Sequence, residues 1–182
     1  VLKHVAALVA ESRKPIVIGG RGAVWSGAGP AIAAFADASG ALLSHTLLAT
    51  GLFDDHPFSI GVAGGYSSAL AHELFADCDL VLAFGASLAQ LQTEGGRLFP
   101  RARVVQIDTH PTGMSQGRRT ADLHLQADAK LAATALLDLV SRPVPDWRNT
   151  ALKQRIATEP VDPQHFPANP GTVDPRAIVR DR

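Results

Sequence analysis

A repeated order of short apolar runs and helix-length segments most constrains what this chain can become. The clearest unit is "KPIVIGGRGAVWSGAGPAIAAFADASG", residues 14–40. Its run "IVIGG" shows no alternation of apolar and polar residues, the pattern of a strand covered on both faces. A helix follows over residues 28–39, with Pro30 in its first turn, Ile32 and Phe35 facing inward, and Gly40 as the stop. Upstream, residues 2–12 place Leu2, Val5, Leu8 and Val9 on one helical face, and Pro15 ends that helix. Downstream, "ALLS", "DLVLAF", "RVVQI" and "ADLHLQ" read as strands. "SSALAHELFADC" reads as a helix with capping serines and an inner face of Leu70, Leu74 and Phe75. Asp128 caps a last helix whose expected inner stripe is Leu131, Ala135 and Leu139. This order predicts an α/β fold, a three-layer Rossmann-like domain around a mostly parallel sheet of about six strands joined by right-handed crossovers.

Apolar residues make up 46% of the chain and charged residues only 19%, so part of the surface is expected to face other protein. Seventeen basic residues balance seventeen acidic ones, which argues against nucleic acid or an anionic membrane as partner. The single cysteine, Cys78, excludes an internal disulfide and a cysteine zinc site, and reads as a small buried apolar residue. No apolar run reaches the about 18 residues of a membrane helix. Nor does the N-terminus resemble a signal peptide, so a cytoplasmic location is expected. After Val140 the texture changes. "SRPVPD" is a break, "WRNTALKQRI" a short helix, and residues 159–175 hold five prolines, the composition of an extended strap. "DPRAIVRDR" reads as the start of another helix, and the chain as a piece of a longer polypeptide.

Strand, glycine turn and helix are the setting in which backbone amides grip a phosphate. Gly19, Gly20 and Gly22 begin such a loop. A dinucleotide fingerprint counted from Gly20 then requires glycine at position 25, where the chain has Trp25. The second strand ends in "LLSHT", with no carboxylate for a ribose. This makes a poor NAD site and favours two other readings, glycines serving tight turns or a looser nucleotide grip. More glycines fall where strands end, at Gly51, "GVAGG", "FGAS" and "TEGG". Ligands of open parallel sheets sit beyond those ends, though close approach to a neighbouring domain needs the same glycines. "LVLAFGASLA" resembles a nucleophile elbow with Ser87, followed by Asp108 and His110 or His124, but Ala89 stands where the elbow prefers glycine. "HELFA" around His72 lacks the second histidine of a zinc protease. His45 and His56 read as structural or interfacial. Arg118 and Arg119 read as a solvated pair, with a phosphate contact as the alternative.

Several stretches, in order, carry a family resemblance: "RKPIVIGGRGAVWSGA", "GALLSHTLLATGLFDDHPFSIGVAGGYSS", "CDLVLAFGASL", "LFPRARVVQID" and "LHLQADA". They resemble the central domain of thiamine diphosphate enzymes of the acetolactate synthase, benzoylformate decarboxylase and pyruvate decarboxylase superfamily. The resemblance implies that residues 1–140 are such a domain, 141–175 a proline-rich linker with one short helix, and 176–182 the start of a diphosphate-binding domain. It implies N- and C-terminal catalytic domains in the same chain, which hold thiamine diphosphate and magnesium between paired subunits of a homodimer or homotetramer. The activating acid and the "GDG…N" metal motif of those domains are not in this sequence. The chain is therefore expected to have no catalytic or metal residues and to be inactive alone, as part of a 2-oxo acid decarboxylase or carboligase, a lyase or transferase. Its expected work is to link the catalytic domains and shape their cleft.

In some members the central domain also binds FAD, in others an ADP-like molecule. Carried over by position, Gly20, Gly22 and Ala23 would lie on a diphosphate. Thr46, Gly51, Gly61, Gly64 and Gly65 would flank the ribityl and flavin portions, and Asp108 and Asp128 would lie near adenosine. FAD-binding members read "GARFDDR" and "GMHG" where this chain has "GASLAQL" and "GVAG". A free-standing FAD- or ADP-binding module is the alternative reading.

Overall fold

The computed structural model describes residues 1–111, 113–115, 118–140, 146–162 and 171–173. The strands are β1 (Pro15–Gly19), β2 (Leu42–His45), β3 (Ser59–Val62), β4 (Leu80–Phe84), β5 (Arg103–Asp108), β6 (Met114–Ser115), β7 (Arg118–Arg119) and β8 (Leu123–Gln126). The helices are α1 (Leu2–Glu11), α2 (Arg21–Trp25), α3 (Gly29–Ser39), α4 (Ala69–Asp77), α5 (Gln90–Thr93), α6 (Ala129–Leu137) and α7 (Thr150–Thr158), with 3₁₀ turns at Leu47–Ala49 and Glu94–Gly96. Six strands form one sheet in the order β3-β2-β1-β4-β5-β8, every pair parallel, while β6 and β7 make a separate antiparallel hairpin. Winding runs outward from β1 in one direction and then, from β4, in the other. That reversal opens a switch point between the two central strands.

The two halves of the core follow from strand alternation. Val17, Leu43, Leu82, Phe84 and Val105 meet α1, α3 and α6 on one face. Ile16, Ile18, Leu42, Val81 and Ala83 meet α4 on the other. Phe35 of α3 packs edge-on against Phe84, with ring centroids 5.9 Å apart. The expected inner faces of α1, α3 and α4 are the buried ones. Gly40 ends α3 in the left-handed region at φ 71°. Ser68 caps α4 by accepting the Ala71 amide, and Asp128 caps α6 by accepting those of Lys130 and Leu131. Asp79 fastens the turn between α1 and β1, accepting the Ser12 hydroxyl and the Arg13 and Lys14 amides.

Three details differ from the sequence reading. In α6 the buried residues are Ala129, Ala132, Ala133 and Leu136, whereas Leu131 is 71% exposed. The small side chains let α6 lie close on α3, and close packing outweighs the larger apolar area of the leucines. A sixth strand, β3, lies inside the glycine-rich stretch after Pro57. Its pairing with β2 shifts register between Leu43 and His45, which is why no clean strand pattern marks it. The first glycine loop, read as a turn, contains the one-turn helix α2.

The helix expected in "WRNTALKQRI" is α7, and it is docked rather than free. Asn149 caps it, Leu152 is buried in the α4-side core, and Trp147 and Ile156 pack alongside. Arg148, just before α7, is the anchor. Its Nε donates to the Ala41 carbonyl at 2.8 Å, and Nη2 donates to the same oxygen. Nη1 reaches Asp37 Oδ1 at 2.5 Å, and the guanidinium lies 4.8 Å from the Phe58 ring centroid. His56 completes the group. Its Nδ1 accepts the Phe58 amide, so Nε2 carries the proton that points at Asp37, 3.0 Å away. Arg155 adds a two-pronged contact to Glu73 at 2.9 and 2.8 Å. Of the expected proline-rich strap (159–175), residues 163–170 and 174–175 lie outside the described residues, as does the expected helix start (174–182).

Asp37 is 59% exposed, so its ion pair is worth little by itself. The carbonyl contact and the Phe58 stacking dominate. Arg148→Ala is expected to cost about 2 kcal/mol in urea unfolding, with Arg148→Lys restoring only part because an ammonium cannot span the same partners. Burial raises the Asp37 pKa, but Arg148 and His56 outweigh it and hold the carboxyl below its ordinary value. A depressed folded pKa stabilises above the unfolded value of about 3.9 and is lost as pH falls through the folded one. The stability gap between wild type and Asp37→Asn is therefore expected to be constant above about pH 5 and to shrink at lower pH in parallel urea titrations.

Candidate functional site

The registers set the carboxyl ends of the strands level. Gly19 of β1 pairs with His45 of β2 and with Phe84 of β4, and Ile107 of β5 lies beside Phe84. One rim therefore collects the loops after β1, β2, β3, β4, β5 and β8, which carry most of the residues singled out from sequence.

At the switch point the loops after β1 and β4 meet backbone to backbone. The Gly20 amide donates to the Phe84 carbonyl at 2.8 Å, and the Gly22 amide to the Gly85 carbonyl at 2.9 Å. The Ala23 amide bonds to Gly20 within the turn of α2. A Cβ on Gly20 would stand 2.2 Å from the Gly85 oxygen, and one on Gly85, whose φ is +59°, 2.4 Å from the Ala23 nitrogen. Only glycine allows this approach. The amides that would face a diphosphate are already bonded to protein.

The β4 loop is fixed along its whole length. The Gly85 amide donates to the Ile107 carbonyl. Buried Gln106 donates from Nε2 to the Ala86 carbonyl at 3.0 Å, and its Oε1 meets His124 Nδ1 at 3.0 Å. Gln92 Oε1 accepts the Ser87 hydroxyl and the Ala89 amide. Leu88 sits at φ +52° with its side chain fully buried. The left-handed backbone costs about 1–2 kcal/mol, and burying a leucine returns about 1.5–3 kcal/mol. Packing wins. Farther on, the Leu91 carbonyl accepts the Gly65 amide at 3.0 Å and abuts Gly64, whose φ is +101°. The β4 loop thus ties the β1 loop to the β3 loop.

The remaining candidates are dispersed. Buried Thr46 donates its amide to the Gly19 carbonyl, and its own carbonyl meets Nδ1 of buried His45 at 3.1 Å. Gly51 lies on an exposed turn and Gly61 within β3, where its carbonyl accepts the Ser44 hydroxyl at 2.7 Å. Asp108 accepts the His110 amide, and Asp128 is occupied as a helix cap. Asp108 and Asp128 are neighbours through the Ala127 amide, which donates to the Asp108 carbonyl.

No triad forms: the Ser87 hydroxyl faces Gln92, and His124 faces Gln106. His72 pairs with Glu94 at 3.0 Å. Burial, with Asp79 nearby, pushes the Cys78 thiol up to about 12, and the thiol donates to the Phe75 carbonyl, so it is no nucleophile. Among the described residues no group of three or more His, Cys, Asp or Glu side chains could hold a metal, and no helix is long and apolar enough to cross a membrane. The Arg118 and Arg119 side chains lie outside the described residues. Sequence reasoning missed Gln106 and Gln92. The signal for Gln106 was a polar residue inside the apolar strand "RVVQID"; Gln92 left none.

The rim is a set of loops interlocked by backbone and glutamine hydrogen bonds. The family model for the thiamine pyrophosphate enzyme central domain matches residues 2–136. The chain belongs to that family. It is 29% identical over 179 residues to a probable acetolactate synthase large subunit of Methanocaldococcus jannaschii, covering 91% of this chain and 30% of that protein. It is 32% identical over 143 residues to the chloroplastic acetolactate synthase 1 of Oryza sativa subsp. japonica, covering 78% and 22%. It is 29% identical over 158 residues to the acetolactate synthase isozyme 2 large subunit of Escherichia coli, covering 85% and 28%. The chain thus spans less than a third of the length of these relatives. As a central domain it has its expected α/β architecture, and the free-standing nucleotide module finds no support.

If the glycines serve packing, their substitution acts without any ligand present. Gly85→Ala and Gly20→Ala are each expected to lower the unfolding free energy of the ligand-free chain by about 3 kcal/mol or more. Gly51→Ala, with a left-handed φ but open space around it, is expected to cost only about 1 kcal/mol. Denaturant titration of the three variants checks the ranking.

Proposed function

We propose that this chain is the noncatalytic central domain of a thiamine diphosphate-dependent 2-oxo acid decarboxylase or carboligase of the acetolactate synthase kind. Its role is to join the catalytic domains and form one wall of their cleft. The observation that carries this reading is the match of residues 2–136 to the central domain, combined with relatives more than three times as long. The parent is proposed to work in the cytoplasm as a homodimer or homotetramer, with magnesium beside the cofactor.

Thiamine diphosphate, when bound, supplies the electron sink that lets the bond next to a 2-oxo acid's carbonyl carbon break or form. The residues of this chain do not fit that group. The described residues contain no metal-ligand cluster, and the sequence lacks the metal-anchoring motif. What they contribute is position, a rim held rigid by hydrogen bonds.

The fit to FAD or ADP at the first loop is equally poor, because the Gly20, Gly22 and Ala23 amides are bonded to Phe84, Gly85 and Gly20 carbonyls. Ser87 and Leu88 stand where FAD-binding members have arginine and phenylalanine, and Leu88 is turned into the core. We therefore assign the loop a scaffolding role.

The test is a paired assay. The 182-residue chain with thiamine diphosphate, magnesium and pyruvate is expected to release no CO₂ and form no acetolactate. The whole product of its gene is expected to turn over a 2-oxo acid only with thiamine diphosphate. Turnover by the 182-residue chain alone, or cofactor-independent turnover by the whole product, would overturn the reading. Denaturing the purified chain is expected to release no stoichiometric flavin or ADP.

A further inference from the structure

Several large apolar side chains stand exposed on the rim at the carboxyl ends of the strands. Trp25, at the end of α2, is 76% exposed; Leu47 and Leu48, in the 3₁₀ turn after β2, are 55% and 65% exposed. Helix α2 lies beside that turn, so the three exposed side chains stand on neighbouring elements. Tyr66 and Leu91, 65% and 70% exposed, add an apolar pair on the same rim, where the Gly65 amide meets the Leu91 carbonyl. Large apolar side chains gathered on neighbouring elements of one rim are the composition of a contact surface rather than of a solvated face.

The Arg21 guanidinium lies over the Trp25 ring, 4.6 Å from its centroid. Arg21 has no carboxylate partner among the described residues. An aromatic ring capped by arginine, next to a turn that exposes two leucines, has the composition of an interface centre.

We propose that Trp25, Leu47 and Leu48 form a docking face for another domain of the same polypeptide, one that presents an apolar surface and a carboxylate to Arg21. This rests on the central-domain reading. The occupant follows from length, since relatives similar along 91% of this chain carry more than twice its length again outside the matched region. A domain between two others must lay apolar surface against at least one of them.

The experiment compares the 182-residue chain with the whole gene product, both carrying Trp147→Phe so that Trp25 is the sole tryptophan of the shared region. Any tryptophans outside it are replaced by phenylalanine. In the short chain, acrylamide should quench Trp25 nearly as well as a free indole. In the long one, the quenching constant should fall at least about threefold and the emission shift to the blue, as for a ring entering an interface centre. A photo-crosslinker at Leu48 in the long chain should join a peptide outside residues 1–182 of the same gene product, and Arg21→Glu should weaken that crosslink. Equal quenching in both chains, or a crosslink to residues 163–182 or to residues 1–182 of a second copy, would overturn the docking face while leaving the domain reading intact. A gene product ending at Arg182 would overturn the central-domain reading and the docking face with it.

Discussion

The structure depends on the closure of the sheet's switch point by its own backbone. Strands β1 and β4 lie side by side because the winding reverses between them, and the loops leaving them must part or interlock. Here they interlock. Gly20 and Gly22 donate to Phe84 and Gly85, and the missing Cβ atoms are what bring the two loops together. The β4 loop, held also by Gln106 and Gln92, carries that order across to Gly64 and Gly65. A crevice that elsewhere in this class of fold receives a nucleotide is here bridged by hydrogen bonds within the chain.

A rigid rim suits the positioning role proposed for this domain. The same rim exposes Trp25, Leu47 and Leu48, so stiffness and stickiness coincide on one end of the sheet. The β3 side has its own fastening. Arg148 draws the segment before α7 onto Ala41 and Phe58, and Leu152 anchors the helix. The folded unit therefore continues past the matched residues 2–136, and a chain leaving it departs from a firmly held helix.

Much of this was legible in the sequence where local pattern and tertiary role agree. The unbroken apolar runs of β1 and β4, the faces of α1, α3 and α4, the Ser68 and Asp128 caps and the Gly40 stop follow from periodicity and capping chemistry. The glycine positions were visible, and so was the choice between turn and ligand. The partner of each glycine was not, because Gly20 and Gly85 are 65 residues apart and nothing local records their contact. The face of α6 was misread because alanines bury where leucines seemed the better apolar residues; close helix packing favours the small side chain. Strand β3 was hidden by Ser59 and Gly61. The role of Arg148 could not be read at all, since its hydrogen-bond partners lie more than a hundred residues upstream.

Hydrogen exchange at single-residue resolution on the ligand-free chain tests the closure most directly. The account predicts that the Gly20 and Gly22 amides, which donate to the Phe84 and Gly85 carbonyls in the interlock, exchange as slowly as the amides of β1 and β4 and are unchanged by FAD or ADP. Fast exchange without ligand, slowed when a nucleotide is added, would contradict it and make the loop a working nucleotide grip.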